Sequence, residues 1–361
     1  MTGKYKVAIV GGAGTWGRYY TRAYAKHPEC EIVGLVDRSK DRRDDIAKRY
    51  GIKCVFDELG DLLSVDVPDI VSAIVPVSQN YLCVTACASA GVRVVSCEKP
   101  ISSELQEADE MVRFCRDNGT LFGCGMAAWA TPYMADVINW VRQGNIGPLT
   151  SASIPGGLPV EVSGAGCVQI GSLRLLTGMD VVWVEGYTLP EIPGYVADGT
   201  AAEESDVPAF GKLGLSGGIE CAIARPEPGR TSTHVSVEGE NGKVFCSRPL
   251  PVLIQGSGAS SRPVQPEFLQ HSDLDLFDLT IQRLLDAHES GKEPLSSGDD
   301  FRHSLEVAIG LVRSSCTGHE RVSLPLSDRS LKLLPHPYRL NGGDVAGWET
   351  IGYTGPPTMD F

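Results

Sequence analysis

The chain has 361 residues, with 32 Lys and Arg against 45 Asp and Glu, for a formal net charge of −13. That balance excludes a broad nucleic-acid surface, which needs clustered Lys and Arg. A chain this long makes two domains of ordinary size and buries about 75% of its unfolded surface without disulfide or metal staples. The 11 cysteines are scattered, odd in number and never spaced Cys-x-x-Cys. They predict free thiols in a reducing, cytoplasmic setting, with Cys83 and Cys87 as small buried residues rather than a metal pair. No apolar run reaches the roughly 18 residues of a membrane span, and no secretory leader is expected, since the chain enters a strand almost at once.

The first part alternates strand and helix patterns. Strands are predicted at Val7–Val10, Ile32–Val36, Cys54–Phe56, Asp69–Val75, Val92–Cys97 and Leu121–Gly125. Helices are predicted at Gly17–Lys26, Asp41–Tyr50, Asn80–Ala90 and Ser103–Asn118, the last two stopped by Gly91 and Gly119. Such alternation builds a doubly wound parallel sheet. The character changes near residue 126. After a helix at Pro132–Gln143, strand-like segments follow at Leu149–Ile154, Val181–Thr188, Lys212–Leu215, Ile219–Ala224, Thr233–Glu238 and Lys243–Ser247, with one helix near Cys167–Thr177. They predict an open, mostly antiparallel sheet. Leu274–Ser290 and Asp300–Thr317 read as helices, and residues 331–361 as an ordered arm, because Trp348, Tyr353 and Phe361 are costly to leave in water. The expected organisation is an α/β Rossmann domain at 1–125, an α+β domain at 126–330 and the arm.

The first β-branched run breaks at Gly11-Gly12-Ala13-Gly14-Thr15-Trp16-Gly17, and Asp37 closes the second strand about 20 residues on. This is the strand, glycine turn, helix, strand and acid order of a dinucleotide site. The glycines let the backbone approach a pyrophosphate held on the N–H groups of a helix start. The acid reaches the adenosine ribose hydroxyls. The glycines fit both Gly12-x-Gly14-x-x-Gly17 and Gly11-x-x-Gly14-x-x-Gly17. Ligands in such sheets sit beyond the strand C-termini, which adds Val75, Pro76, Asn80 and Glu98 to the candidate cofactor contacts. Asp37 favours NAD, since a carboxylate repels a 2′-phosphate. Arg38 and Lys40 leave NADP open.

Cys97-Glu98-Lys99-Pro100 ends the fifth strand. With the glycine turn it makes the chain resemble the glucose–fructose oxidoreductase, inositol dehydrogenase and rhizopine catabolism (Gfo/Idh/MocA) family. The resemblance runs from residue 6 to about residue 326. It takes in Gly144-Asn145-Ile146-Gly147-Pro148 and Gly298-Asp299-Asp300 with Leu305-Glu306-Val307-Ala308. It implies a nicotinamide-dependent oxidation or reduction of a sugar, cyclitol or similar small carbohydrate-like substrate, and a homodimer or homotetramer formed through the open sheet. It also implies that Glu98 and Lys99 lie beside the nicotinamide ribose and the reacting carbon. The residues agree: a lysine at a strand end under a cofactor polarises a carbonyl or stabilises an alkoxide.

Two departures stand out. The family's helix-borne His and the Asp three residues later fall on Val168 and Gly171, and a second register puts Leu173 at the His. Where relatives carry Asn and Arg against substrate, this chain has Ala127, Ala128 and Trp129. Trp129, Val168 and Gln169 are therefore the expected substrate neighbours together with Lys99. Losing a general acid or base costs about 10²–10⁴ in rate, so a substitute is needed. The candidates are Lys99 itself, Tyr187 and His234, with Tyr133 and His271 behind them, while His303 and Asp180 read as structural. Two other functions stay open: a dinucleotide-binding regulator without turnover, and redox-neutral elimination or glycoside cleavage with the cofactor recycled in place.

Overall fold

The computed structural model describes residues 4–125, 133–158, 160–189, 205–227, 234–247, 250–270 and 275–356, and the counts below refer to these. Strands Tyr5–Val10 (β1), Cys30–Val36 (β2), Val55–Phe56 (β3), Ile70–Ala73 (β4), Val94–Cys97 (β5) and Leu121–Cys124 (β6) form one parallel sheet in the order β3-β2-β1-β4-β5-β6. Each strand predicted in the first part is present. Alternate β1 residues enter two different cores: Ala8 and Val10 join one, Val7 and Ile9 the other. A strand buried on both faces reads as a continuous apolar run, which is why this half is legible. The order reverses between β1 and β4, and that reversal opens a crevice beyond the strand ends.

Helices Gly17–Lys26 (α1), Lys40–Tyr50 (α2), Leu59–Val65 (α3), Val77–Ser89 (α4) and Leu105–Asp117 (α5) cover the sheet. The α3 helix was not predicted. It has seven residues and buries only Leu59 and Leu62, too little for a 3.6-residue period to show.

The second sheet has nine strands: Leu149–Ile154 (β7), Val181–Thr188 (β8), Ala209–Leu215 (β9), Glu220–Ile223 (β10), Val235–Gly239 (β11), Gly242–Cys246 (β12), Val252–Gln255 (β13), Arg262–Val264 (β14) and Val322–Ser323 (β15). Their order is β14-β13-β12-β11-β7-β10-β9-β8-β15, and β7 and β10 are the one parallel pair. The last three strands were not anticipated. They are short, both edges are among them, and β14 carries Pro263, which an edge tolerates. Met134–Arg142 (α6), Cys167–Thr177 (α7), Leu276–Ser290 (α8) and Gly298–Cys316 (α9) are the longer helices of this half. The buried α9 packs on β8: a Cβ on Gly186 would run into the carbonyl of Leu311.

Two segments cross the expected domain boundaries. In α8, Phe277, Ile281, Leu284 and Leu285 are buried in the same core as Val7 and Ile9, so this helix completes the first domain. Gly298 opens α9 so close to β6 that a Cβ there would enter the Phe122 ring. Asp300 caps that helix through Ser297 and also accepts from Arg174 at 2.7 Å. The Gly298-Asp299-Asp300 pattern is thus explained by packing and capping. The arm is described through residue 356; Trp348 in it is half-buried, Tyr353 is exposed, and Phe361 lies outside the described residues. The arm runs past α5 (Leu105 N to Leu331 O, 3.1 Å; Leu333 N to Ser103 O, 2.8 Å) and forms Pro337–Asn341 (α10) and Gly343–Ala346 (α11). Among the described residues no helix is long and apolar enough to cross a membrane.

Candidate active site

The crevice at the β1/β4 reversal begins with the glycine turn. Gly11 sits at φ +73°, a left-handed conformation that favours glycine, and a Cβ there would strike the Ile74 carbonyl. A Cβ on Gly17 would strike the Gly11 carbonyl. These two glycines are demanded by the protein itself. Gly14 differs: a Cβ there meets nothing nearer than the Gly11 oxygen at 3.2 Å. A Cβ on Gly12 would strike the Leu35 side chain, so Gly12 is demanded by packing as well, and the turn fits both glycine registers. Among the described residues, the N–H groups of Thr15 and Gly17 have no acceptor, as a helix start that holds a diphosphate requires.

Asp37, half-buried at the end of β2, accepts from Ala13 N at 3.1 Å and Ser39 N at 2.9 Å, which ties the acid to the turn. Burial raises its carboxyl above the usual range, and these two N–H groups oppose the rise. Each oxygen keeps acceptor capacity for a ribose hydroxyl. The residues present thus fit a dinucleotide: a glycine cradle that packing does not fill, open N–H donors and an acid at the ribose end.

Two strands away, β5 delivers Glu98 and Lys99. Tyr20 of α1 donates to Glu98 Oε1 at 2.7 Å, and the Lys99 N–H reaches Oε2 at 3.2 Å. Burial, then Glu98, pushes the Tyr20 phenol well up, so it stays a donor. Asn80, fully buried on α4, donates to the carbonyls of Glu98, Pro100 and Ile101 at 3.0, 3.1 and 3.2 Å. Asn80 thereby holds the Lys99 turn from beneath, a positioning role, and its Oδ1 is buried without a hydrogen-bond partner among the described residues. No described carboxylate pairs with the half-buried Lys99 ammonium. Val75 and Pro76 line the end of β4, and Trp16 leans on Tyr19 and Phe277 with ring centroids 6.0 and 6.3 Å away.

Across the crevice, residues 162–166 form one π turn leading into α7. Asp206, buried, accepts from Val162 N (2.7 Å), Ser163 N (3.0 Å) and Ser163 Oγ (2.5 Å) and so fixes that turn. Burial lifts its carboxyl to about 6. Glu161, buried beside it, is ion-paired to Arg339 of α10. Cys167 follows; burial pushes its thiol up to about 12, and the nearby Lys99 charge opposes that push. Val168 and Gln169 are buried on α7, and Gln169 Nε2 is committed to the Gly157 carbonyl at 2.9 Å.

The structure does not bring every expected residue here. Gly186 faces α9, so its neighbour Tyr187 points to the opposite, open face of the sheet, stacked on Phe210 (4.9 Å) and His319 (4.0 Å). As α9 and α5 separate that sheet from the first domain, Tyr187 is on the far side from Lys99. His234 leads into β11, its N–H bonded to the Cys246 carbonyl at 2.7 Å. His303 Nε2 accepts from Val181 N at 3.0 Å and Asp180 pairs with Arg174, both structural. Trp129, with Ala127 and Ala128, and His271 lie outside the described residues. Tyr20, Glu161, Asp206 and Arg339 were missed. The available signal was weak: lone charges among apolar neighbours, as in Pro159-Val160-Glu161-Val162.

Residues 5–126 match the family described as oxidoreductase family, NAD-binding Rossmann fold (GFO_IDH_MocA). Over 322 residues the chain is 22% identical to the inositol 2-dehydrogenase of Rhizobium meliloti (strain 1021), covering 84% of this chain and 94% of that one. The first domain belongs to the Gfo/Idh/MocA family. The fold of the chain is similar to those of two solved structures. One is an aldose-aldose oxidoreductase from Caulobacter crescentus complexed with glycerol (TM-score 0.69, 20% identity, 89% of this chain and 100% of that one). The other is an oxidoreductase from Agrobacterium radiobacter in complex with NAD+, L-tartaric acid and magnesium (TM-score 0.69, 17% identity, 89% and 98%). The family match makes the first domain an NAD-binding Rossmann domain.

Proposed function

We propose that the protein is an NAD-dependent oxidoreductase acting on a sugar, cyclitol or similar small cyclic alcohol or carbonyl compound, with acid–base groups unlike those usual in its family. One observation carries the reading: a glycine turn with open N–H groups and a lysine without a described carboxylate partner follow the C-terminal ends of β1 and β5, two strands apart in one parallel sheet. The names of the relatives, an inositol 2-dehydrogenase and an aldose-aldose oxidoreductase, support a polyhydroxylated substrate.

When bound, the nicotinamide supplies the two-electron donor or acceptor. The chain does the rest. Thr15 and Gly17 N–H hold the diphosphate, and Asp37 accepts from the ribose. Lys99 Nζ donates to the substrate oxygen and stabilises negative charge as it develops there. As the free amine, the same nitrogen takes the hydroxyl proton in the oxidative direction. Asn80 and Glu98 fix the turn that carries it.

The test is to purify the protein, look for bound NAD(H), and screen cyclitols, aldoses, keto-sugars and glycosides for absorbance change at the nicotinamide band. Turnover of a polyhydroxylated ring supports the reading, and saturable ligand binding with no turnover in any class sinks it. Product without net nicotinamide change replaces it with redox-neutral elimination or glycoside cleavage. The absence of an imidazole at Val168, Gly171 and Leu173 supports the other alternative, a dinucleotide-binding regulator without turnover.

A further inference from the structure

The outer end of the crevice holds a cluster that neither the glycine turn nor the lysine explains. Arg38 precedes α2, and Lys40, Arg42 and Arg43 crowd its first turn beside Asp37. Several cations at the adenosine ribose are what a 2′-phosphate requires. Here the fold gives three of them carboxylates. Lys40 Nζ donates to Asp44 at 2.6 Å, and Arg43 is held by Asp57 and by the Asp37 carbonyl at 3.0 Å. Arg42, with its guanidinium nitrogens largely covered, makes a two-point pair with Asp344 of α11: Nη1 to Oδ1 at 3.2 Å and Nη2 to Oδ2 at 2.5 Å.

Asp344 comes from 302 residues further along the chain, and the arm that carries it is anchored at several points. Trp348 Nε1 donates to Asp344 Oδ1 at 3.0 Å, and the Arg42 guanidinium lies 5.9 Å from the Trp348 ring. The Tyr338 and Thr15 hydroxyls are 2.9 Å apart, which pins α10 to the glycine turn. A Cβ on Gly342 would come within 2.9 Å of Pro76. The Arg42 pair holds the Asp344 carboxyl below its usual range, and its charge is felt at Asp37. Asp344 thus stands as a fixed anion beside the ribose acid.

We propose that Asp344 is a cofactor-specificity residue: by occupying Arg42 and placing a second carboxylate beside Asp37, the C-terminal arm excludes a 2′-phosphate and selects NAD over NADP. A like charge repels the phosphate, and a guanidinium already paired at two points cannot recruit it. The inference rests on the dinucleotide reading above.

The test titrates the full-length protein with NADH and with NADPH, reading nicotinamide fluorescence at two salt concentrations. The wild type is expected to bind NADH at least about tenfold more tightly. Asp344→Asn should tighten NADPH about tenfold and leave NADH within about threefold, with the gain fading at high salt. Adding Arg42→Ala to Asp344→Asn should abolish that gain. Trp348→Phe, which removes the donor to Asp344 and keeps the aromatic packing, should move the ratio in the same direction by about two- to threefold. If the wild type binds neither nucleotide, the dinucleotide reading fails. If it binds NADH but the Asp344→Asn ratio is unchanged, or the gain survives loss of Arg42, this inference fails and that reading stands.

Discussion

The two walls of the crevice are built in opposite ways. The cofactor wall comes from successive strand ends of one alternating strand–helix order: Gly11 to Gly17, then Asp37, then Glu98 and Lys99. The facing wall is assembled from three distant segments, Glu161 to Cys167, Asp206 and Arg339, joined through buried carboxylates. A local turn is encoded by the residues that must adopt it. A wall of converging charges is encoded only by the fold that brings them together. Substitutions in the first wall are therefore expected to act on ligands, and those in the second on stability.

Lys99→Met should break the cofactor wall most severely. Turnover is expected to fall by about 10²–10⁴, with NADH affinity within a few fold, by steady-state rates and fluorescence titration. Full activity in this variant would remove lysine from the mechanism. The facing wall should answer to pH. The folded chain holds the Asp206 proton up to about pH 6, whereas the unfolded chain releases it near pH 4. The folded state binds the extra proton between those values, so stability falls as pH rises through that window, by on the order of 3 kcal/mol. Urea midpoints of wild type and Asp206→Asn from pH 4 to 7 should show the slope in the first and its loss in the second. Arg339→Ala leaves Glu161 buried without its partner. The expected destabilisation is about 2 kcal/mol, below the full value for a buried pair because Arg339 is partly exposed. Adding Glu161→Gln should recover part of it.

The glycines sharpen the contrast. Gly17→Ala should lower both the thermal midpoint and dinucleotide affinity, since its Cβ meets backbone. Gly14→Ala should leave the midpoint unchanged and weaken NADH by about tenfold. Equal losses of stability in the two variants would mean that packing, not a ligand, explains Gly14. The smallest effect is expected at Tyr187, where Phe should keep turnover within about twofold, because the ring faces the open side of the sheet.

Much of the first domain was legible because strands buried on both faces and glycine stops leave a dense local signal. The β7 to β12 strands were legible too, but β13 to β15 and α3 were too short to carry a period. The site followed the same division. Gly11, Gly17, Asp37 and Lys99 announced themselves through position in a repeating order. Asp206 and Arg339 did not, since an isolated Asp or Arg reads as a solvated surface charge until burial is known. The positional expectation for Tyr187 failed because strand alternation alone does not say which face meets α9.

By itself the sequence determined the parallel sheet, the glycine turn and the lysine at the strand end, because each is dictated by steric limits on a few neighbouring residues. Only the tertiary structure decided that α8 returns to the first domain, that Asp206 and Arg339 converge on the turn from Glu161 to Ser163, and that an aspartate from the C-terminal arm takes Arg42. Those contacts join residues tens to hundreds of positions apart. Their energies depend on burial and on the charge opposite, quantities that do not exist until the chain has folded.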